Sequence, residues 1–470
     1  MSGSAKVERR RGSNKIDMCQ GPILPLLARF ALPLLITGIL QVLFNAADIM
    51  VVGKFGSEFS LAAVSSTSSI TSLLVNLFIG LSVGTNVLCA RYFGAKDEKS
   101  LSETVHTSIL LSVILGAGLT VAGIVLAKPL LTLMGVPKEV LPLSVLYMRL
   151  YFCGMIPSLV YNFASAVLRS VGDTKRPMYF LTLSGLLNVV LNLIFVMVFN
   201  MDVAGVALAT ALSQAVAATL TIICLIKETG GIKLTLSGLK MSARRLKEVV
   251  RIGFPAGLNS SMFSISNVVI QSSLNSFGPE VIAGNGAASS IESLIFTALA
   301  SISQAVIAFT GQNFGKYDYK RIVRAHLWGQ ALVYTFGIAL CVVAVMFSEP
   351  LLSLYADSPA EISAGAERMR VLASSIFIYS SADIAVATMR GMGCSITPTI
   401  TSVLCICGVR ILWVMTVFQI PQFHTVGWLY AAFPVSYALS LIVQMVFMIF
   451  MLRIMQKRYP PPTEPSEIGN

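Results

Sequence analysis

The sequence predicts an all-α integral membrane protein with twelve transmembrane helices in two six-helix lobes. Hydrophobic residues make up 55% of the 470 residues and charged residues only 12%, too little polar surface for a soluble protein of this size. Apolar segments of roughly 20 residues recur, the length that a helix needs to cross a hydrocarbon core of ~30 Å. The second half of the chain also repeats the first. Helices are expected because a helix satisfies its own backbone hydrogen bonds in lipid.

Apolar runs between turn signals place the individual helices. The first six are expected near 27–51, 60–86, 102–127, 140–166, 178–199 and 203–226, and the second six near 252–275, 284–311, 325–347, 366–388, 398–420 and 426–452. The resulting domains are an N-terminal tail 1–26, an N-lobe 27–230, an interlobe linker 231–251, a C-lobe 252–452 and a C-terminal tail 453–470. The proline-rich end of that last tail, from Tyr459 onwards, is expected to be disordered.

The basic residues predict the orientation of the spans. All but seven of the 34 Lys and Arg fall in the tails and in the loops on one side. The exceptions are Lys54, Lys128, Lys138, Arg149, Arg368, Arg370 and Arg410. Because Lys and Arg concentrate in cytoplasmic loops, both termini are predicted to be cytoplasmic and the chain to lie in the plasma (inner) membrane. This division also accounts for the net charge of +12, so nucleic acid is not an expected partner.

An internal repeat relates the two halves at a nearly fixed offset. Phe93-Gly94 recurs as Phe314-Gly315, Pro129 as Pro350, Met148-Arg149 as Met369-Arg370, Arg169 as Arg390 and Gly172 as Gly393, all 221 residues later; Pro33 and Phe55-Gly56 recur after 222. Six helices per half give both halves the same orientation, so a pseudo-two-fold axis along the membrane normal should relate them, as in parallel transporter repeats. Such halves can rock around a central cavity.

One face of the first helix is polar. Thr37, Gln41, Asn45 and Asp48 stand at i, i+4, i+8 and i+11, within an arc of about 80°. A carboxylate at membrane depth is costly and usually faces a cavity where it binds or relays ions, although Asp48 could instead reach the headgroup region. The equivalent positions of the second half are Asn259, Phe263, Asn267 and Ile270. Because they lack an acid, the main cation site is predicted in the N-lobe.

Other helices add polar residues. Asn188 and Asn192 lie one turn apart in the fifth helix, and Thr210 lies in the sixth; the asparagines could instead be interhelical hydrogen-bond contacts worth ~0.6 to 2 kcal/mol. Glu292 in the eighth helix and Asp383 in the tenth are candidates for a second cation or substrate site.

The alternative for these two acids is pairing with a buried arginine such as Arg410, or capping by neighbouring hydroxyls. Asp383 stands at the repeat position of Asn162, which is therefore included with the cavity residues.

Several motifs resemble the multidrug and toxic compound extrusion (MATE) family, especially its DinF-like branch, over nearly the whole chain. They are Leu32-Pro33, Asn45-Ala46-Ala47-Asp48, Ala90-Arg91-Tyr92-Phe93-Gly94-Ala95, Leu168-Arg169-Ser170-Val171-Gly172-Asp173, Asn188, Ala204-Gly205, Ala209-Thr210 and Met389-Arg390-Gly391-Met392-Gly393. The resemblance implies a secondary active antiporter that exports organic, cationic amphipathic compounds in exchange for H⁺ or Na⁺. It implies no cofactor beyond the coupling ion. The expected partners are drug-like cations and membrane lipids, and the expected state is a monomer.

The resemblance also assigns site residues. It implies that Asp48 couples transport to the cation, with a candidate Na⁺ position there, and it matches Asn188, Asn192 and Thr210 to polar positions of the DinF-like branch. Asn192 stands where many members have a second acid, and Ser165 stands where some have asparagine. A neutral amide can ligate Na⁺ or bond a protonated acid, but it cannot exchange a proton itself.

Other classes of function are disfavoured. No Gly-x-x-x-x-Gly-Lys-Ser/Thr phosphate loop occurs, and His106, His326 and His424 lack metal-ligand spacing, so neither an ATP-driven pump nor an enzyme is expected. A lipid-linked precursor flippase of the same wider superfamily is the principal alternative. Flippases tend to have a cationic cavity and extra helices, whereas the acids and the twelve spans here favour export of cations. A channel is the third choice, because a two-lobed repeat suits alternating access.

Overall fold

The computed structural model describes residues 16–461 except Asp357, and not the side chain of Ser69; residues 1–15 and most of the predicted disordered tail lie outside it. The described residues form twelve long helices. The first six are α1 (Ile23–Phe55), α2 (Ser60–Gly94), α3 (Glu98–Leu133), α4 (Leu141–Cys153 and Met155–Ser170), α5 (Lys175–Val198) and α6 (Asp202–Lys227). The second six are α7 (Ala243–Leu274), α8 (Pro279–Gly315), α9 (Tyr319–Met346), α10 (Pro359–Gly391), α11 (Ile396–Gln419) and α12 (Val426–Arg458).

Most of these helices have the length and composition of membrane spans. Ten qualify singly, and the two segments of α4, which are bent by 43° around Gly154, form an eleventh. The remaining helix, α7, has 32 residues but is less apolar, because its first turns carry basic residues and its later turns carry many serines and asparagines. The described residues contain no strand, which confirms the all-helical prediction.

The repeat extends to single backbone conformations. Asp97 and Asp318, which are 221 residues apart, both cap the following helix by accepting a hydrogen bond from the backbone N–H three residues later. The residue before each cap, Lys96 or Tyr317, has a φ of +57°. With the offset of 222 that links the ends of α1 and the turn after α7 at Phe277, these features make α7 the counterpart of α1.

A glycine seam joins the two halves. It consists of Gly80 and Gly84 of α2 with Gly253 and Gly257 of α7, where a Cβ on any of the four would overlap the backbone of the other helix. Small residues let two helices approach closely, which is the usual way that helices associate in lipid. The seam therefore holds the lobes in direct backbone contact.

Polar contacts between the lobes gather at one end of the bundle. This basic end carries the loops 95–97, 171–174, 228–242, 316–318 and 392–395. There the buried Arg245 of α7 donates to Glu103 (3.1 Å) and Ser100 (2.7 Å) of α3 and to the hydroxyl of Tyr92 in α2. Gln312 of α8 donates to the carbonyl of Ser170 at 2.8 Å.

Towards the opposite, far end, such contacts stop. Within the described chain, the interlobe hydrogen bond farthest from the basic end runs from Ser261 Oγ to the carbonyl of Leu73 (3.3 Å), near the middle of α7. The two lobes are thus closed against each other at the basic end.

Candidate functional site

A cavity of about 380 Å³ lies in the first lobe between α1, α2, α5 and α6; we call it the N-cavity. Its polar lining residues are Gln41, Asn45, Asp48, Asn76, Ser184, Asn188, Thr210, Ser213 and Gln214. Gly185 of α5 lets the ring of Phe44 lie directly against the helix backbone, which draws α1 and α5 together at this level. The helical spacing of the polar residues on α1 thus places Gln41, Asn45 and Asp48 in one cavity.

The carboxylate of Asp48 is held by neutral donors. Asn192 Nδ2 donates to Oδ1, and Thr210 Oγ1 lies 3.5 Å from Oδ2 as the second donor. Asn188 Nδ2 in turn donates to Thr210 Oγ1 at 3.3 Å. Among the described side chains, no Lys or Arg forms an ion pair with Asp48. The four residues of the predicted coupling site therefore form one hydrogen-bonded cluster with an uncompensated negative charge.

An unsatisfied oxygen lies in the same cluster. Asn192 is fully buried, and its Oδ1 has no hydrogen-bond partner. A buried acceptor without a partner costs about 1 to 3 kcal/mol. Carboxylate and amide oxygens are the ligands that hard cations prefer, so the cluster has the donor set for a small cation. A proton on Asp48 would serve the same charge balance.

A second cavity, of about 420 Å³, lies in the other lobe between α7, α8, α10 and α12; we call it the C-cavity. Asn267, Glu292 and Asp383 line it, as do Arg368 and several aromatic rings. Both oxygens of Glu292 accept from Arg368, Oε1 at 3.1 Å and Oε2 at 2.6 Å. The arginine expected as the alternative partner, Arg410, does not bond Glu292, because Arg368 of α10 faces it directly.

Four predicted cavity residues lie elsewhere. Thr37 and Asn162 each donate to a backbone carbonyl one turn earlier on their own helix. Ser165 is buried with its hydroxyl unpartnered, and Asn259 is half-buried on α7. None of the four lines the N-cavity or the C-cavity. Their contribution to a substrate path remains a prediction.

Several lining residues were not anticipated from the sequence. Gln214 follows Thr210 by one helical turn, a spacing that could have revealed it, whereas Asn76 and Arg368 carry no such signal. Thr297 of α8 lines both cavities, and its side chain lies against Gly38 of α1 without room for a Cβ there. The two cavities therefore meet at a contact between the lobes.

Comparisons with known proteins agree with this architecture. The MatE family model matches residues 33–194 and 255–416, once in each half. The chain is 28% identical over 424 residues to the "Probable multidrug resistance protein YoeA" of Bacillus subtilis, covering 88% of this chain and 91% of that protein. It is 27% identical over 347 residues to the "FAD transporter" of Shewanella oneidensis, covering 73% and 76%.

Solved structures share the two-lobed fold. A MOP superfamily transporter from Pyrococcus furiosus superimposes with a TM-score of 0.88 at 23% identity, over 95% of this chain and 99% of that one. An outward-facing multidrug resistance MATE family transporter gives 0.87 at 24% identity, over 95% and 100%. Since the family model matches well over half of the residues, in both lobes, the chain belongs to the MatE family of multidrug transporters.

Proposed function

We propose that this protein is a secondary antiporter that exports cationic amphipathic organic compounds in exchange for H⁺ or Na⁺, by alternating access. The observation that carries the proposal is the Asp48 cluster, in which a carboxylate without a basic partner and the unsatisfied Asn192 oxygen share one cavity. An acid in this state can take up a cation from one side of the membrane and release it on the other. The relatives that are named multidrug resistance proteins support a drug-like substrate.

The proposal includes the orientation. The basic end is assigned to the cytoplasm of an inner membrane, with both termini there, since short loops rich in Lys and Arg remain on that side. One chain supplies both cavities, which is consistent with a monomer. With the basic end closed, the structure corresponds to a state in which the cavities are shut off from the cytoplasm.

Transport by purified protein in liposomes tests this function. A fluorescent lipophilic cation and a lipophilic anion of similar size are offered under an imposed pH gradient or an imposed Na⁺ gradient. We expect movement of the cation against its own gradient, and the effective gradient identifies the coupling ion. Faster movement of the anion would instead favour a flippase or an anion exporter, and movement that ignores both gradients would favour a channel.

A further inference from the structure

We propose that the C-cavity binds amphoteric aromatic compounds, which carry a cationic group and a carboxylate on a flat ring system. The substrate and the coupling ion then occupy different lobes. This inference rests on the proposed function, and it adds the position and the chemical class of the substrate. Three features of the cavity carry it: its walls, its free acid and the arginine behind one wall.

The walls of the C-cavity are aromatic. Phe263, Phe296, Tyr379, Phe433 and Tyr437 line it, and the ring of Tyr379 lies 5.6 Å from that of Phe263, 5.5 Å from that of Phe296 and 5.2 Å from that of Tyr437. Flat ligands gain from offset or edge-to-face contact with such rings. The lining of the N-cavity includes one aromatic ring, that of Phe44. A flat aromatic molecule therefore fits the C-cavity better.

Asp383 supplies the negative charge. Glu292 is neutralised by Arg368 through both oxygens, whereas Asp383 forms no ion pair with a described residue. Asp383 is partly exposed and lines the cavity. The nearest arginine along its own helix, Arg390, is seven residues away, or about 10 Å at 1.5 Å per residue. The Asp383 carboxylate is thus the acid that remains for a ligand cation.

Arg410 supplies the positive charge. Its side chain is fully buried and donates to three neutral groups: Asn267 at 3.1 Å, Ser436 at 3.2 Å and Ser266 at 3.5 Å. The remaining nitrogen, Nη2, has no partner, and no carboxylate of the described chain pairs with this guanidinium. A buried charge without a counter-ion is costly, so an anion nearby is favoured.

The position of Arg410 connects it to the cavity. Its guanidinium lies 4.0 Å from the ring of Phe433 and 5.2 Å from each of the rings of Phe263 and Tyr437, and all three rings line the C-cavity. Asn267, which accepts its hydrogen bond, lines the cavity as well. The cavity therefore has an unpaired negative charge at Asp383 and an unpaired positive charge behind Asn267. A ligand with both charges satisfies both ends.

Two dyes of the same ring system test the ligand class. Rhodamine 110 has a free carboxylate beside its cationic ring, and rhodamine 123 is its methyl ester. Binding to the purified full-length protein is measured by fluorescence anisotropy without any gradient. We expect rhodamine 110 to bind roughly tenfold more tightly, the factor for one charge-assisted contact. Equal affinities, or tighter binding of the ester, would overturn the proposed class.

Variants locate the site. Asp383→Asn should weaken both dyes by roughly tenfold, because both carry the cationic ring. Asn267→Ala and Arg410→Lys should reduce the preference for the acid over the ester; Asn267 is exposed in the cavity, so its variant is informative even if Arg410→Lys does not fold. Glu367→Gln is the matched control, an exposed acid on the same helix outside the cavity, and should change nothing.

Asp48→Asn separates the two lobes. It should still bind both dyes, since its carboxylate lies in the N-cavity. Loss of dye binding by a correctly folded Asp48→Asn protein, with Asp383→Asn unaffected, would place the substrate in the N-cavity and refute the inference. Dye binding as expected, combined with no gradient-driven movement in liposomes, would contradict the antiport proposal and leave the binding site in place.

Discussion

Asp48 and Asp383 are both intramembrane acids without a described ion-pair partner, but their surroundings differ. Three side chains that can donate or ligate, Asn188, Asn192 and Thr210, form a cluster with Asp48. Asp383 lies among aromatic rings instead. Small cations need several oxygen ligands, whereas a large organic cation needs one counter-charge and apolar contact. The two acids are thus suited to different cargo.

Asp48→Asn should abolish gradient-driven efflux, lowering its maximal rate by at least roughly tenfold at any substrate concentration, within the usual range of coupling free energies. The amide keeps the shape of the side chain and loses the charge that the ion balances. Asp383→Asn should mainly raise the substrate concentration needed for half-maximal efflux. Efflux rates in liposomes, measured over a range of dye concentrations, distinguish these patterns. Wild-type rate and gradient dependence in folded Asp48→Asn would refute the coupling role.

The sequence predicted some of these residues and missed others. The spacing of Gln41, Asn45 and Asp48 on one helix placed them together, because a straight helix preserves its own face. The pairing of Arg368 with Glu292 depends on how α8 packs against α10, a contact between helices that spacing within one helix does not specify. Asn76 was missed for the same reason.

At the scale of single helices, glycines determine how closely α2 and α7 approach. Gly257→Ala should destabilise the protein by about 1 to 3 kcal/mol, because the added Cβ overlaps the backbone at Leu77. Thermal unfolding in detergent measures the change. Gly286→Ala on α8 is the matched control, since a Cβ there meets nothing within 4 Å. Alanine favours a helix over glycine, so the control should be neutral or stabilising, and an equal loss in both variants would contradict a close-packed seam.

Helix boundaries show where sequence patterns lose information. The predicted linker 231–251 contains the start of α7, because Ser242 caps a helix whose first turns are basic and whose apolar part begins later. Hydropathy detects the lipid-facing length of a helix, not its polar extension. The bend around Gly154 in α4 was likewise absent from the predicted span, since Gly154 lies in an otherwise continuous apolar run.

For the molecule as a whole, Arg245 links α7 of one lobe to α2 and α3 of the other. Arg245→Ala should raise the fraction of molecules that open at the basic end by roughly tenfold, since each hydrogen bond to a charged group contributes about 1.5 to 3 kcal/mol. Distances between spin labels at positions 99 and 320, on the starts of α3 and α9, report this opening. The neighbouring Arg244, whose side chain is 79% exposed, provides the control Arg244→Ala. An unchanged distance distribution in Arg245→Ala would exclude a closing role.

The internal repeat predicted the two-lobed arrangement, since the repeat fixes which helices correspond without any knowledge of their contacts. The closed basic end did not follow from the repeat, because a symmetric pattern specifies two equal halves and not the angle between them. Interlobe contacts such as the one between Gln312 and the carbonyl of Ser170 set that angle in this state.

Thr297 faces both cavities and contacts Gly38, so the two compartments share one wall. Thermodynamic linkage then sets a strict condition on whatever passes through this contact. If a bound ion changes the affinity for the organic ligand by some factor, the bound ligand must change the affinity for the ion by the same factor. A titration of either one in the presence of the other therefore measures a single quantity, and the heterotropic free energy obtained in the two directions must agree.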